Sequence, residues 1–423
     1  MTNIEEMQQR DWDLIVIGGG FAGAAAAIAA ARQGLHVLLC DQAGYLGGAA
    51  CNCLVNPFMR YWNTDEDHEA LSRGIFEEIL NEMRKIDGGD GIAFREETLK
   101  LVLDRMTVRA GVHVLLHVTL CTVQAEEGRV RSASFMSKTG MLNFHAAYFI
   151  DATGDADLCV MAGFRTQLGR KEDQLCQPMT LCFRIANVDM DAFYANRPRI
   201  NQIYQQFQRE GKIRNPRENV LIFVHPVRNM LHFNTTRIVK LNPVDPFDLT
   251  RAEMEAREQM FEMVSFLKEN IPGFEHADLA FSAPQIGVRE SRMIEGEYVM
   301  TGDDVLSGRK FEDSISAGNY DIDIHNPEGT GTDIYSLPKG AYYTIPYRSL
   351  VPKGSQNLLV AGRCISADHA AQASVRIMPI CATLGEAAGV AAAVALKDHA
   401  AVGAVDIPKI QCILKENNAF LGI

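Results

Sequence analysis

An α/β fold is predicted, with a parallel sheet extended by a β-meander and an α+β domain inserted into the chain. Three features carry this. Trp12–Ile17 is a short apolar run rich in β-branched residues, the pattern of a strand buried on both faces, and it leads straight into a glycine-rich turn. An alanine-rich stretch, residues 22–33, and a second apolar run, residues 35–40, follow in the order of a βαβ unit. Two further apolar runs, residues 147–151 and 357–361, read as buried strands, although a long stretch richer in charge, aromatics and proline separates them.

The turn holds G-x-G-x-x-G as Gly18, Gly20 and Gly23, with Phe21 and Ala22 between the last two. The first glycine permits the tight strand-to-helix turn. The second lets backbone amides approach a pyrophosphate, and the third lets the helix pack closely on the sheet. The phosphates then meet the positive end of the helix. Asp41 closes the second strand 23 residues after Gly18, where an acid accepts hydrogen bonds from a ribose. The bare alternative is a glycine-rich turn without a ligand. The strand, fingerprint, helix, second strand and terminal acid together favour a Rossmann-type dinucleotide site.

Helical spacing recurs at 68–87, where Ile75, Ile79, Leu80 and Met83 share a face, and at 95–110, where Leu99, Val102, Leu103 and Met106 do. Residues 112–150 alternate in short apolar runs with turns at 126–128 and 139–140, which reads as a strand followed by a β-meander. The formal charge of −12 argues against a nucleic-acid partner, because phosphate backbones recruit lysine and arginine. Ten cysteines without C-x-x-C pairs read as reduced thiols, and no metal site is expected. Glu5, Glu6 and Asp11 precede the first apolar run, unlike the basic start of a secretory signal. The late alanine-rich run is broken by Gly385, Glu386 and Gly389, so no membrane span is expected and the location expected is cytoplasmic.

The fingerprint does not separate FAD from NAD; three distant segments bear on it. Gly44–Gly48 is a flexible loop just after the ribose acid. Ala147–Asp155 is a strand ending in A-T-G-D, and Asn357–Arg363 is a strand ending in A-G-R followed by a small-residue helix from about Pro379 to Leu396. With the runs 151–157, 177–180, 286–292, 321–325, 345–350 and 359–363, the sequence resembles, over nearly its whole length, the FAD-dependent oxidoreductase family of the glutathione-reductase-like superfamily, related to fumarate reductase and succinate dehydrogenase flavoproteins.

The resemblance implies FAD as cofactor and a Rossmann-type FAD-binding domain in two pieces, residues 1–165 and 346–423, around a substrate domain at 166–345. It implies that Asp41 with Gln42, Gly47 and Gly48, the Leu120 backbone, Ala152, Thr153, Gly154 and Asp155, Gly362 and Arg363 line the cofactor. Leu384 lies on the helix whose N-terminal amides would face the flavin. The ribose acid is Asp41 where glutamate is usual in FAD members. A second glycine fingerprint and a C-x4-C redox pair are absent. Cys51 and Cys53 read as packing residues, with a redox thiol or flavin anchor as the alternative.

The implied activity is hydride transfer between flavin N5 and a small polar substrate: a hydroxy acid, a sugar or polyol, or an unsaturated acid. Its rivals are an oxidase or monooxygenase and a protein in which FAD is structural. The electron acceptor is left open among oxygen, a quinone and another protein, and a homodimer is suggested by analogy alone. An acid/base is needed, and His325 and His369 are the candidates. His325 shares one strand face with Asp321 and Asp323, which is expected to raise its pKa; the alternative is a solvated loop. Arg376 and Arg289 could grip an anionic substrate bidentately, as could Arg292; the alternative is an internal ion pair with Glu290 or Glu295. His232 is a further candidate.

Overall fold

The computed structural model describes residues 4–423, with side chains from Glu6 onward; Glu5 of the acidic start lies outside the described side chains. A seven-stranded sheet forms the larger body. Its parallel part runs in the order His113–Leu115, Val37–Cys40, Trp12–Ile17, Gly140–Asp151, Leu358–Val360. Gly140–Asp151 is long enough to serve twice. Residues 146–151 lie between Trp12–Ile17 and Leu358–Val360, and residues 140–145 pair antiparallel with Arg129–Ser137. Arg129–Ser137 pairs in turn with Thr119–Glu126, completing the expected meander. The strand that opens this region is short, His113–Leu115, and the chain turns at His117, whose φ is 60°, before the meander begins at Thr119.

The helix Phe21–Arg32 is buried along most of its length because both faces are covered, one by the sheet and one by the helix Met378–Asp398. Alanine and glycine make that crossing close. A Cβ on Gly385 would lie 2.0 Å from the Ala22 carbonyl oxygen, and one on Gly389 would lie 2.2 Å from that of Ala26. The Met378–Asp398 helix is long and apolar enough to cross a membrane by composition, but 94% of its most apolar 18-residue window is buried inside the protein. Its buried Glu386 accepts a hydrogen bond from the Ile75 backbone N–H at 2.9 Å. This satisfies one orphan amide at the start of the helix Ile75–Asp87, which begins seven residues later than the pattern at 68 suggested.

A second body is built on a four-stranded antiparallel sheet in the order Asp278–Ser282, Phe183–Ala186, Leu231–Phe233, Ile222–Val224. The helices Met190–Arg209 and Pro246–Asn270 pack with it. Asp189 and Asp245 cap them, each accepting two backbone N–H bonds. The buried apolar residues separate accordingly. One cluster holds the large sheet; the other holds Leu54 and residues between Met179 and Ile286. The strands Ser314–Gly318 and Tyr343–Pro346 bury Ile315, Tyr343 and Ile345 with the first cluster, so the segment 166–345 contributes to both cores.

Gly385→Ala is expected to destabilise the protein by about 1–3 kcal/mol, because the added methyl meets backbone that cannot move without parting the two helices. A thermal unfolding midpoint equal to that of the unsubstituted protein would show that the crossing yields without cost.

Candidate functional site

A cleft of about 270 Å³ runs across the C-terminal ends of the parallel strands. The topology sets its position, because ligands in such sheets sit outside the carboxyl ends of the strands. Trp12–Ile17 delivers Gly18, Gly20, Phe21 and Ala22; Val37–Cys40 delivers Asp41 and Gln42; Gly140–Asp151 delivers Ala152, Thr153, Gly154 and Asp155; Leu358–Val360 delivers Gly362 and Arg363. Gly47, Gly48 and Leu120 complete the wall. Gly23 stands behind it, its Cα against the Gly18 carbonyl, and Leu384 is buried in its helix without reaching the cleft.

The glycines distinguish a ligand cradle from a tight turn. Gly18 has φ +101°, and a Cβ there would strike the Ala152 carbonyl oxygen at 2.3 Å, so backbone geometry alone demands it. Gly20 has ordinary φ, −70°, and a Cβ there would meet nothing nearer than Gly48 Cα at 3.6 Å. Neither backbone nor packing requires that glycine; a side chain there would project into the cleft. Asp41 accepts backbone N–H bonds from Gly19 and, at 2.7 Å, from Ala43, which holds the carboxylate on the cleft wall. Burial pushes its pKa up despite those bonds. Arg363 donates to the carbonyl oxygens of Gly154 at 2.8 Å and Val288 at 2.9 Å and pairs with Asp155 at 2.5 Å.

A second chamber of about 420 Å³ lies against the first. Ala49, Arg363, Arg376 and Met378 line both, so the two are adjoining parts of one site. The chamber wall includes Arg289, Arg217, Asn234, Tyr320, Asp323, His325 and Thr332. His325 Nε2 is 3.5 Å from Asp323 Oδ2, and Nδ1 is 3.2 Å from the Thr332 hydroxyl. The Tyr320 hydroxyl donates to Asp323 at 3.1 Å. Burial, then the Arg289 charge, pull the His325 pKa down to about 3, outweighing Asp323. The expectation that the carboxylate raises it is therefore corrected: desolvation of the imidazolium exceeds one partly screened attraction. Asp323 is held well below the ordinary carboxylate range by its bond to His325 and by the nearby arginines.

The remaining candidates are placed elsewhere. Asp321 leaves the chamber to pair with Arg60 at 3.1 Å. His369 Nδ1 is 2.7 Å from the buried Glu290, and His369 lines neither cavity. Arg292 pairs with Asp157, not with Glu290 or Glu295, and donates to the Asp155 carbonyl at 2.7 Å. Glu295 is taken by Arg165 at 3.0 Å. His232 is buried against Arg184 in a group with Glu96 and His225, away from both cavities. Cys53 lines the cleft, whereas Cys51 sits under Gly47; burial raises both thiols to about 12, so neither is a thiolate at neutral pH. All ten cysteines are free. Sequence reasoning missed Arg217, Asn234 and Thr332. Arg217 lies in a charged, irregular stretch with no periodicity, and only its burial, at 4% exposure, marks it.

Residues 13–414 match the FAD dependent oxidoreductase family. An alpha-glycerophosphate oxidase of Streptococcus pneumoniae is 32% identical over 124 residues, covering 26% of this chain and 20% of that protein. A tRNA uridine 5-carboxymethylaminomethyl modification enzyme of Treponema pallidum is 56% identical over 43 residues, covering 10% of this chain and 7% of that protein. The chain thus spans about a fifth or less of these curated relatives. Among solved structures, a geranylgeranyl bacteriochlorophyll reductase-like protein of Thermoplasma acidophilum superimposes with a TM-score of 0.46 at 14% identity, over 96% of this chain and 83% of that one.

Asp41→Ala is expected to weaken FAD binding about tenfold or more, since it removes a charged acceptor from the cofactor wall and frees the Gly19 and Ala43 amides it holds. Titration of the apoprotein by flavin fluorescence measures this; an unchanged affinity would remove Asp41 from the ribose site.

Proposed function

The chain belongs to the FAD dependent oxidoreductase family, and from that premise we propose that it transfers hydride between the flavin N5 of its FAD and a small polar substrate, a hydroxy acid, sugar or polyol, or unsaturated acid. The observation that supports the reading is the chamber that adjoins the cofactor cleft through Ala49, Arg363, Arg376 and Met378 and holds His325 and Asp323 in its wall. FAD, when bound, supplies the two-electron chemistry. Gly18, Gly20, Asp41, Gly48 and Arg363 hold it.

The protein's own residues bind, orient and move the proton. Arg289 and Arg376 face the chamber and would hold an anionic group of the substrate. Asp323, an acceptor only, favours the His325 tautomer protonated on Nε2. Nδ1 then carries the ring's lone pair, 3.2 Å from a Thr332 hydroxyl that can donate instead to Glu218, and takes the substrate's hydroxyl proton as its carbon is oxidised. In the opposite direction the same atom returns the proton. Asp323 holds the ring and balances the imidazolium that forms, so its role is positioning.

A second reading takes molecular oxygen as the electron acceptor; the Streptococcus pneumoniae relative's name, an oxidase, favours it. Fast reoxidation by oxygen with peroxide release supports an oxidase, and slow reoxidation supports a dehydrogenase with a quinone or protein acceptor. The acidic balance and free cysteines support a cytoplasmic location, and the homodimer rests on analogy.

His325→Ala is expected to leave FAD content unchanged and to slow flavin reduction by substrate about 10²- to 10⁴-fold. Because the folded-state pKa is lowered to about 3, the imidazole stays neutral as pH falls through the ordinary histidine range. The proton acceptor is therefore lost only as pH approaches that low value, and kcat/KM is expected to show no inflection near pH 6.5, the unperturbed value. Rapid-mixing kinetics across pH test both. An inflection near that value that persists in His325→Ala would assign the base to another group.

A further inference from the structure

The chamber wall holds arginines that the protein itself does not neutralise. Arg217 is 4% exposed, and its Nε donates to Asn219 Oδ1 at 3.3 Å. Arg289 donates to the Pro178 carbonyl at 2.7 Å, the Thr180 hydroxyl at 2.5 Å and Asn234 Oδ1 at 2.9 Å, all neutral acceptors. Arg376 gives one N–H to Gln177 Oε1 at 3.4 Å, and its buried Nε has no acceptor. Among the described residues, none of the three forms a salt bridge. The other wall charges are matched: Arg363 pairs with Asp155 at 2.5 Å, and Glu218 pairs with Arg237 at 2.8 Å.

Asp323 is the one wall carboxylate without an arginine or lysine partner, and neutral His325 adds no charge. Three guanidinium groups against one carboxylate leave two positive charges uncompensated. Burying a charge without a counter-charge costs several kcal/mol per ion. Burial and the charges of Arg217 and Arg376 pull Arg289 itself down to about 9. Arg376 stands at the junction with the cofactor cleft, whereas Arg217 lines the chamber alone, so the two mark different ends of the bound molecule.

We propose, resting on the oxidoreductase reading above, that the substrate is a dianion, a dicarboxylate or a phosphorylated acid, and that Arg217 is the specificity residue for its second negative charge. Arg376 and Arg289 hold the anionic group near the reacting carbon, and Arg217 receives the charge at the far end. Each guanidinium can bind a carboxylate or phosphate oxygen pair through its fork, a geometry lysine lacks. A monoanion of the same size leaves one arginine buried and unpaired and binds more weakly.

The test is calorimetric titration of the FAD-loaded protein, at constant ionic strength, with malonate, inorganic phosphate and acetate, followed in parallel by flavin absorbance. Malonate or phosphate is expected to bind about tenfold or more tighter than acetate, a difference of about 1.4 kcal/mol. Preference for malonate identifies a dicarboxylate site, and preference for phosphate a phosphorylated acid. Arg217→Gln is expected to erase that preference while acetate binding and FAD content hold; Arg217→Lys is expected to restore part of it. Acetate binding as tightly as both dianions overturns the proposal in the unsubstituted protein, whether or not the variants fold. Equal weakening of all three ligands by Arg217→Gln also overturns it. A neutral polyol that reduces the flavin, with no dianion preference, would keep the oxidoreductase reading and sink this one. A clear dianion preference with no flavin reduction by any dianionic hydroxy acid would do the reverse.

Discussion

The backbone-to-backbone approach of the helices Phe21–Arg32 and Met378–Asp398 organises the site. Gly385 and Gly389 let the second helix settle onto Ala22 and Ala26, with no room for a methyl between them. The crossing joins the two ends of the chain into one body. It brings Arg376 and Met378, at the start of the late helix, to the cleft that the first glycine turn opens. It also positions Glu386 to cap Ile75, tying a third helix to the same seam. A larger residue at either glycine would part the helices.

Desolvation is the second constraint, and it acts in opposite senses in the two cavities. In the cofactor cleft the charged groups other than Arg376 at the junction have partners: Arg363 pairs with Asp155, Asp157 with Arg292, and Asp41 accepts from two backbone amides. That wall is a finished surface whose open feature is the space above Gly20. In the chamber Arg217, Arg289 and Arg376 bond only to neutral acceptors, and the charges of Arg289 and Arg217 are one reason His325 stays neutral. A positive, enclosed wall attracts an anion and favours the unprotonated base. His325 and the arginines are therefore coupled by position: an anion that reached the arginines would also relieve the charge that depresses the histidine.

Local patterns served well where one signal dominated. Trp12–Ile17, the alanine helix, the meander turns and the strand at 357–361 all appear in the structure within a few residues of where the pattern puts them. Most residues expected to line the cofactor do face the cleft, because they follow the ends of Trp12–Ile17, Val37–Cys40, Gly140–Asp151 and Leu358–Val360; Gly23 and Leu384 do not reach it. Longer spans failed where a tertiary partner intervened. The helix expected from 68 begins at Ile75, where Glu386 caps it. Alternation set Asp321 beside Asp323 and His325, but Arg60 draws Asp321 away. His369 was a candidate beside His325 in sequence, and His232 a further one; Glu290 and Arg184 occupy them.

What the sequence determined by itself is the fold class, the glycine turn, the placing of Asp41 at the end of the second strand, and the family. These depend on residues near one another in the chain and on backbone geometry that glycine and β-branched runs encode locally. What only the tertiary structure decided is the chamber: that His325 and Asp323 face it together, that Arg217 joins Arg289 and Arg376, and that none of these arginines meets a carboxylate. Charge compensation is a property of neighbours in space. Whether an arginine is an internal ion pair or a waiting ligand depends on which acid the fold brings within about 4 Å, a distance that no spacing along the chain records.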